Sequence, residues 1–326
     1  MPNITTYDFI DENRRKTILL MALFPITLVV LVYLAIILFS LAAGGGQHGN
    51  YQSPLDIANQ TAMYVLPIVS AIAILWILIS YFFGQNFIIS TAGAVEITRE
   101  TAPEIIKIVE DIAITAGLPM PKVYAINDDG MNAFATGRDP EHSYVVLTKG
   151  LVNNLEKSEL EGVIAHEMAH IGNRDIRTML IMIVCISFAT IAAQILLRLA
   201  WVRRGGKNNA AQLLLFALAM ALYIYGYLVA PLLKLAVSRT REFQADATAA
   251  LITRNPQGLI GALRKISGKS TVETLKDKET MSAMCIETPL SKEKQNSFFS
   301  KFSGLLSTHP PIEARIKALE VMDGNR

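Results

Sequence analysis

Charge and cysteine are what this chain has least of. Only 18% of its residues are Asp, Glu, Lys or Arg. Its two cysteines, Cys185 and Cys285, lie in an apolar run and a Met-rich stretch, with no CxxC pair. That argues against a disulfide framework and against cysteine metal chemistry. The 30 Lys and Arg against 28 Asp and Glu leave a net charge of +2, so no basic surface points to a nucleic-acid partner. What is abundant is apolar sequence, at 52% of the chain, with positive mean hydropathy. At 326 residues the chain has room for two average domains, and this composition makes it a membrane protein.

Four long apolar runs carry that excess, at roughly 17–43, 61–83, 178–197 and 211–233. Each reaches the roughly 20 residues that cross a bilayer. The first is too long for the apolar core of a signal peptide and reads as a retained anchor. None of the four has an acid, Lys, Arg or His in its interior. Transporters carry ionisable groups along their pathway, so transport is improbable and the chemistry lies outside the lipid. Arg14, Arg15 and Lys16 precede the first run, and the loop 44–60 has neither Lys nor Arg. The N-terminus is therefore expected on the cytoplasmic side and that loop outside. Arg203, Arg204 and Lys207, between the third and fourth runs, conflict with the pattern if both runs span. Either way the chain returns to the same side, and 84–177 shares a compartment with the region after 234.

The sequence between the runs has the periodicity of folded elements. Residues 101–117 read as an amphipathic helix, with Thr101 and Glu104 spaced as a capping box, Pro103 in the first turn and Gly117 as the stop. Segments 121–128, 131–138 and 143–150 read as strands joined at Asp129-Gly130 and a polar turn, giving a small antiparallel sheet. A second helix, with a capping-box pattern at Ser158–Glu161, carries A-H-E-M-A-H at 165–170 and ends near Gly172-Asn173.

On a helix, residues four apart differ by about 40° in azimuth and about 6 Å in height. His166 and His170 can therefore converge on one point, while Glu167 lies about 100° round from His166 and reaches a water there rather than the ion. Imidazole ligands with an open position suit zinc. A third ligand is needed. Glu242, in SRTREFQADATAALI at 238–252, is the candidate, and Asp246 one turn on can accept the free ring N–H of a ligand histidine. From spacing alone, a solvated helix face with an Arg241/Glu242 charge pair reads as well.

Taken together, N-A-F-A-T-G at 132–137, L-x-x-x-E-L-E-G-V-I-A-H-E at 155–167, E-F-Q-A-D at 242–246 and T-H-P-P-I-E-A-R-I at 308–316 resemble the M48 family of membrane zinc metalloproteases. The resemblance covers most of the chain from about 84 onward and does not reach the segment before 17. It implies one zinc per chain on His166, His170 and Glu242, with Glu167 as general base. It further implies that Asn132, Ala133, Phe134 and Ala135 lie along the substrate, and that His309 and Arg315 line the cleft. The expected fold is an α+β membrane protein, mostly helical, with a zincin-like HExxH/Glu catalytic domain, a small antiparallel sheet and about four transmembrane helices. Its parts are a cytoplasmic segment 1–16, a hairpin 17–83, a first catalytic part 84–177, a second hairpin 178–233 and a second catalytic part 234–326. The expected activity is zinc-dependent endopeptidase action on polypeptides, chiefly unfolded or damaged membrane proteins in stress-related quality control. The expected place is the bacterial inner membrane, with the site facing the cytoplasm.

Two other functions stay open. A prenyl-protein endopeptidase, the activity of related eukaryotic enzymes, would need more spans than four runs supply. A membrane scaffold with a structural zinc would close the site with four protein ligands, and the sequence offers three and a base. The methionines at 281 and 284 read as packing.

Overall fold

The computed structural model describes residues 6–43, 53–202, 209–236, 239–268, 272, 285–286 and 310–324. The chain divides into two compact units: Thr17–Tyr81 with Ile181–Leu232, and Phe82–Leu180 with Leu233–Arg326 and the stretch through Lys16.

The first of these is built from apolar helices. Helix α1 spans Thr6–Ala43 and α2 spans Pro54–Ala92; α6 spans Asp175–Val202 and α7 Asn209–Ala236. At 1.5 Å per residue, the 39 residues of α2 run for about 58 Å, well beyond the roughly 30 Å of a hydrocarbon core. Phe24, Leu28, Ala73, Ile77, Ile181, Ala189 and Leu222 pack inside this unit, and Trp76 and Phe188 place their rings 5.0 Å apart. Three stretches are long and apolar enough to cross a membrane: Met21–Leu41, Pro54–Ala92 and Asp175–Trp201. The first three of the four expected runs fall in these stretches, among the described residues. Among the described residues, the apolar stretch of α7 is Gln212–Gly226, which is shorter than a span. The loop bearing Arg203, Arg204 and Lys207 lies outside the described residues.

The other unit places a four-stranded sheet beside packed helices. Strand β1 is Val95–Ile97, β2 Lys122–Ile126, β3 Ala133–Gly137 and β4 Ser143–Thr148, in the order β1-β2-β4-β3. Strands β2 and β4 pair in parallel, with Val123 opposite Val145; β3 and β4 are antiparallel, with Ala133 opposite Leu147. The sheet is therefore mixed, which corrects the expectation of an antiparallel one. The cause is the connection after β2. It is not a two-residue hairpin at Asp129-Gly130 but a six-residue path, long enough to leave a gap that β4 fills. That path is pinned at Asp128, whose carboxylate accepts from Gly130 N–H and whose C=O accepts from Gly150 N–H. As a result β3 is an edge strand.

Helix α3 (Pro103–Ala116) starts without a side-chain cap, because Thr101 Oγ1 accepts instead from Thr98 N–H. It stops where expected, at Gly117, whose φ of 66° suits glycine. A short helix α4 (Lys149–Asn154) leads to α5 (Lys157–Gly172), α8 is Arg239–Thr253, α9 is Pro256–Gly268 and α10 is Ile312–Gly324. The capping box of α5 uses Glu156 and Glu159, two residues before the pattern read at Ser158. Val109, Ile112, Val123, Val145, Leu147, Val163, Ile164, Ala249, Leu259 and Leu263 form one core. Helices α5 and α9 touch backbone to backbone: a Cβ on Gly162 would meet Leu259 N at 2.7 Å. Lys265 then reaches Glu159 at 2.6 Å across the same pair. This close crossing holds α5, and with it the two histidines, rigidly against the core.

Candidate metal centre and active site

Three helices converge on the histidines. Helix α5 supplies His166, Glu167 and His170, and α8 supplies Arg241, Glu242 and Asp246. The start of α6 supplies Asp175, delivered by the turn at Arg174, whose φ is 59°. His166, Glu167, Glu242 and Asp246 are buried, while the His170 side chain keeps 16% exposure.

The donor atoms fit a tetrahedral ion. His166 Nε2 and His170 Nε2 stand 3.2 Å apart. Glu242 Oε2 lies 3.8 Å from the first and Oε1 3.7 Å from the second. All three ligand atoms lie within 4.8 Å of one another, and among the described residues this is the group that could hold a metal. Ligands at 2.0–2.1 Å around a tetrahedral centre stand about 3.3 Å apart, so a small closing movement brings Glu242 in. The orientation of the rings supports the same fit. Asp246 Oδ1 is 3.0 Å from His166 Nδ1, and Asp175 Oδ2 is 2.9 Å from His170 Nδ1. Each carboxylate holds the ring proton on Nδ1 and turns the Nε2 lone pair inward. Two Nε2 atoms facing each other at that distance share one cation between them, a proton or a metal ion.

Electrostatics point the same way. Burial, with the Arg315 charge beside it, pushes His166 down to about 4. Burial also works against a charge on His170, but the Asp175 hydrogen bond and the Glu242 carboxylate outweigh it and raise that ring to about 9. Without metal at neutral pH, one ring is neutral and the other holds the proton, so the positive charge already sits where an ion would. Burial raises Glu167 to about 7, with Glu242 adding to the shift and His170 opposing it. A carboxylate poised near neutrality can both take and return a proton.

Each orienting carboxylate is itself held by an arginine. Arg315 Nε donates to Asp246 Oδ2 at 2.8 Å and its Nη2 to Oδ1 at 2.6 Å. Arg241 Nη1 donates to Asp175 Oδ1 at 3.0 Å. Two Arg–Asp–His chains thus run side by side, one behind each ligand ring. Asp246 was legible from its spacing. Asp175 was missed: its only sequence signal is that it is an acid standing between the histidine helix and an apolar run. Arg241, which could have been a surface partner of Glu242, is buried against Asp175. Arg315 is fully buried, with Nη2 3.4 Å from the His166 ring nitrogens. It therefore packs against the candidate ligands, with Nη1 3.8 Å from Glu242 Oε2. His309 lies outside the described residues, as do the methionines at 281 and 284.

The strand beside the site is the edge strand. Asn132, Ala133, Phe134 and Ala135 are all buried. Asn132 is fastened to β4 by Thr148, whose N–H donates to its C=O at 3.0 Å and whose Oγ1 accepts its N–H at 2.9 Å. Ala135 directs its N–H to the Glu167 carboxylate. The general-base candidate therefore touches the strand along which a peptide would lie.

Comparison with known proteins settles the family. The model for peptidase family M48 matches residues 99–323, which spans every described residue of this site. The chain belongs to peptidase family M48. Curated M48-type relatives cover nearly its whole length. A protease HtpX homolog of Bacteroides fragilis is 38% identical over 315 residues, covering 95% of this chain and 96% of that protein. One from Ligilactobacillus salivarius is 38% identical over 322 residues, covering 97% and 99%. Among solved structures, that of S. mikatae Ste24p matches with a TM-score of 0.46 at 19% identity, covering 80% of this chain and 60% of that one. This M48 chain, with its apolar helices, is a membrane metallopeptidase.

Proposed function

We propose that the protein is a zinc-dependent endopeptidase with one zinc per chain, held by His166, His170 and Glu242. The observation that carries this is the meeting of those three ligand atoms beside Glu167, which itself touches an edge strand. Bound zinc supplies Lewis acidity, lowering the pKa of water and polarising a scissile carbonyl. The chain's own residues do the rest. Asp246 and Asp175 keep the two rings in the tautomer that leaves Nε2 free. Glu167 takes the proton of the attacking water and returns it to the leaving amine. The strand Asn132–Ala135 orients an extended polypeptide by main-chain hydrogen bonds, which demand little particular sequence. Arg315, beside His166, places positive charge near the developing oxyanion.

Loose specificity and apolar helices suit unfolded or damaged membrane proteins as substrates, in stress-related quality control. The clustering of Arg14, Arg15 and Lys16 ahead of the first span supports a site facing the cytoplasm of a bacterial inner membrane. Three ligands and a base, rather than four closed ligands, favour an open catalytic site over a structural zinc.

The deciding experiment is casein degradation by the purified protein, with and without chelator, alongside metal analysis. Glu167→Gln is expected to lower turnover by about 10²–10⁴-fold with zinc content unchanged. Glu242→Ala is expected to lose the metal. Normal cleavage by the first variant, or full zinc in the second, would overturn the assignments.

A further inference from the structure

The outer edge of β3 is already occupied. Successive residues of a strand point their peptide groups to opposite sides. Asn132 C=O faces β4, so Ala133 and Ala135 face outward. Ala135 N–H serves Glu167, and Ala133 C=O, two residues earlier, accepts from Ile286 N–H at 2.9 Å. The C=O of Ile286 accepts in turn from Arg315 Nη1 at 3.1 Å. That guanidinium is the one that grips Asp246 and approaches the His166 ring. Both main-chain polar groups of Ile286 are therefore bound, one on the strand edge beside the general base and one on an arginine beside the ligand set. Cys285 and Ile286 are both buried there.

These are the two kinds of contact an extended polypeptide needs in order to lie along an edge strand at a reacting centre. We propose that the outer edge of β3, with Arg315, is a main-chain docking surface for polypeptides, and that Cys285–Ile286 of the same chain holds it in the substrate's place. The inference rests on the endopeptidase reading and adds its regulation: a substrate enters by displacing this segment. The Ile286 N–H bond to Ala133 C=O is a main-chain bond, and a peptide lying along β3 can offer the same bond in exchange.

Two measurements on the full-length, zinc-loaded protein in detergent test this. Ile286→Pro removes the N–H that holds Ala133 C=O. It is expected to raise the rate of cleavage of reduced, carboxymethylated casein about fivefold, the equivalent of one main-chain hydrogen bond. A rate at or below that of the unaltered chain, with zinc content and thermal midpoint preserved, would make the segment a fixed part of the fold. Should that variant fail to fold, hydrogen exchange on Glu167→Gln gives the same answer. Saturating it with the same casein is expected to speed exchange of the Ile286 amide several-fold. Unchanged exchange at that amide, with casein bound, would overturn this proposal alone. A zinc-loaded natural sequence that leaves casein uncut would instead sink the endopeptidase reading.

Discussion

The two units of this chain bury opposite things. Around the candidate metal centre, His166, Glu167, Glu242, Asp246 and Arg315 are all buried while carrying or trading charge. In the apolar unit, Leu38, Ile68, Leu75 and Leu78 are at least half exposed to the surroundings. Water as solvent would penalise both arrangements. The first is tolerable because every buried ionic group named above has a partner of opposite charge or a hydrogen bond. The second is tolerable because lipid is as apolar as leucine. The comparison teaches where sensitivity to substitution should lie: in the polar interior of one unit, and hardly at all on the apolar exterior of the other.

The sharpest way to break this contrast is Asp246→Ala. It takes from the buried Arg315 guanidinium the carboxylate that accepts two of its hydrogen bonds and leaves His166 unoriented, and breaking such a pair costs about 3–5 kcal/mol. A fall in thermal midpoint of the metal-free protein would show it, and an unchanged midpoint would contradict the buried network. The same network has an acid limit. Burial works to raise the Asp246 carboxyl, but the Arg315 charge and hydrogen bonds outweigh it and hold the group below its ordinary value of 3.8. Its contribution to stability is therefore complete above that value and is lost as pH falls through the depressed one.

Next in size is Leu263→Ala in the core of the catalytic unit, expected to cost about 2–5 kcal/mol. Leu75→Ala on the exterior of the apolar unit is expected to change stability by less than about 0.5 kcal/mol. Equal effects in denaturation from detergent would erase the contrast. Asp175→Ala should then lower zinc affinity about 10–100-fold, as measured by chelator competition, with most of the loss recovered in Asp175→Glu.

A smaller effect concerns protons. His170, raised to about 9 in the metal-free protein, contributes to that fold below its ordinary value of 6.5 and loses the contribution as pH climbs through 9. Zinc needs the neutral ring, so binding at pH 8 should expel about one proton from it, and affinity should rise with pH up to about 9. Calorimetry in buffers of different ionisation enthalpy counts that proton.

Much of this was readable from residue order. The spacing of His166 and His170 fixed a shared helix face, and the step from Glu242 to Asp246 placed a ligand and its orienting partner one turn apart on α8. The apolar runs were visible because lipid demands continuous stretches. What escaped depended on contacts between distant segments. Asp175 acquires meaning only when α6 leaves α5 at the Arg174 turn and brings it to the His170 ring. The parallel pairing of β2 and β4 depends on a loop pinned to the start of α4, which no strand pattern reveals. Ile286 has no motif at all, since its role rests on backbone atoms that every residue possesses.

X-ray absorption at the zinc edge of the purified, zinc-loaded protein tests the central claim most directly. The account predicts one zinc per chain with two imidazole nitrogens at about 2.0–2.1 Å, carboxylate and water oxygens, and no sulfur. A sulfur shell near 2.3 Å, or a single histidine in the shell, would contradict it.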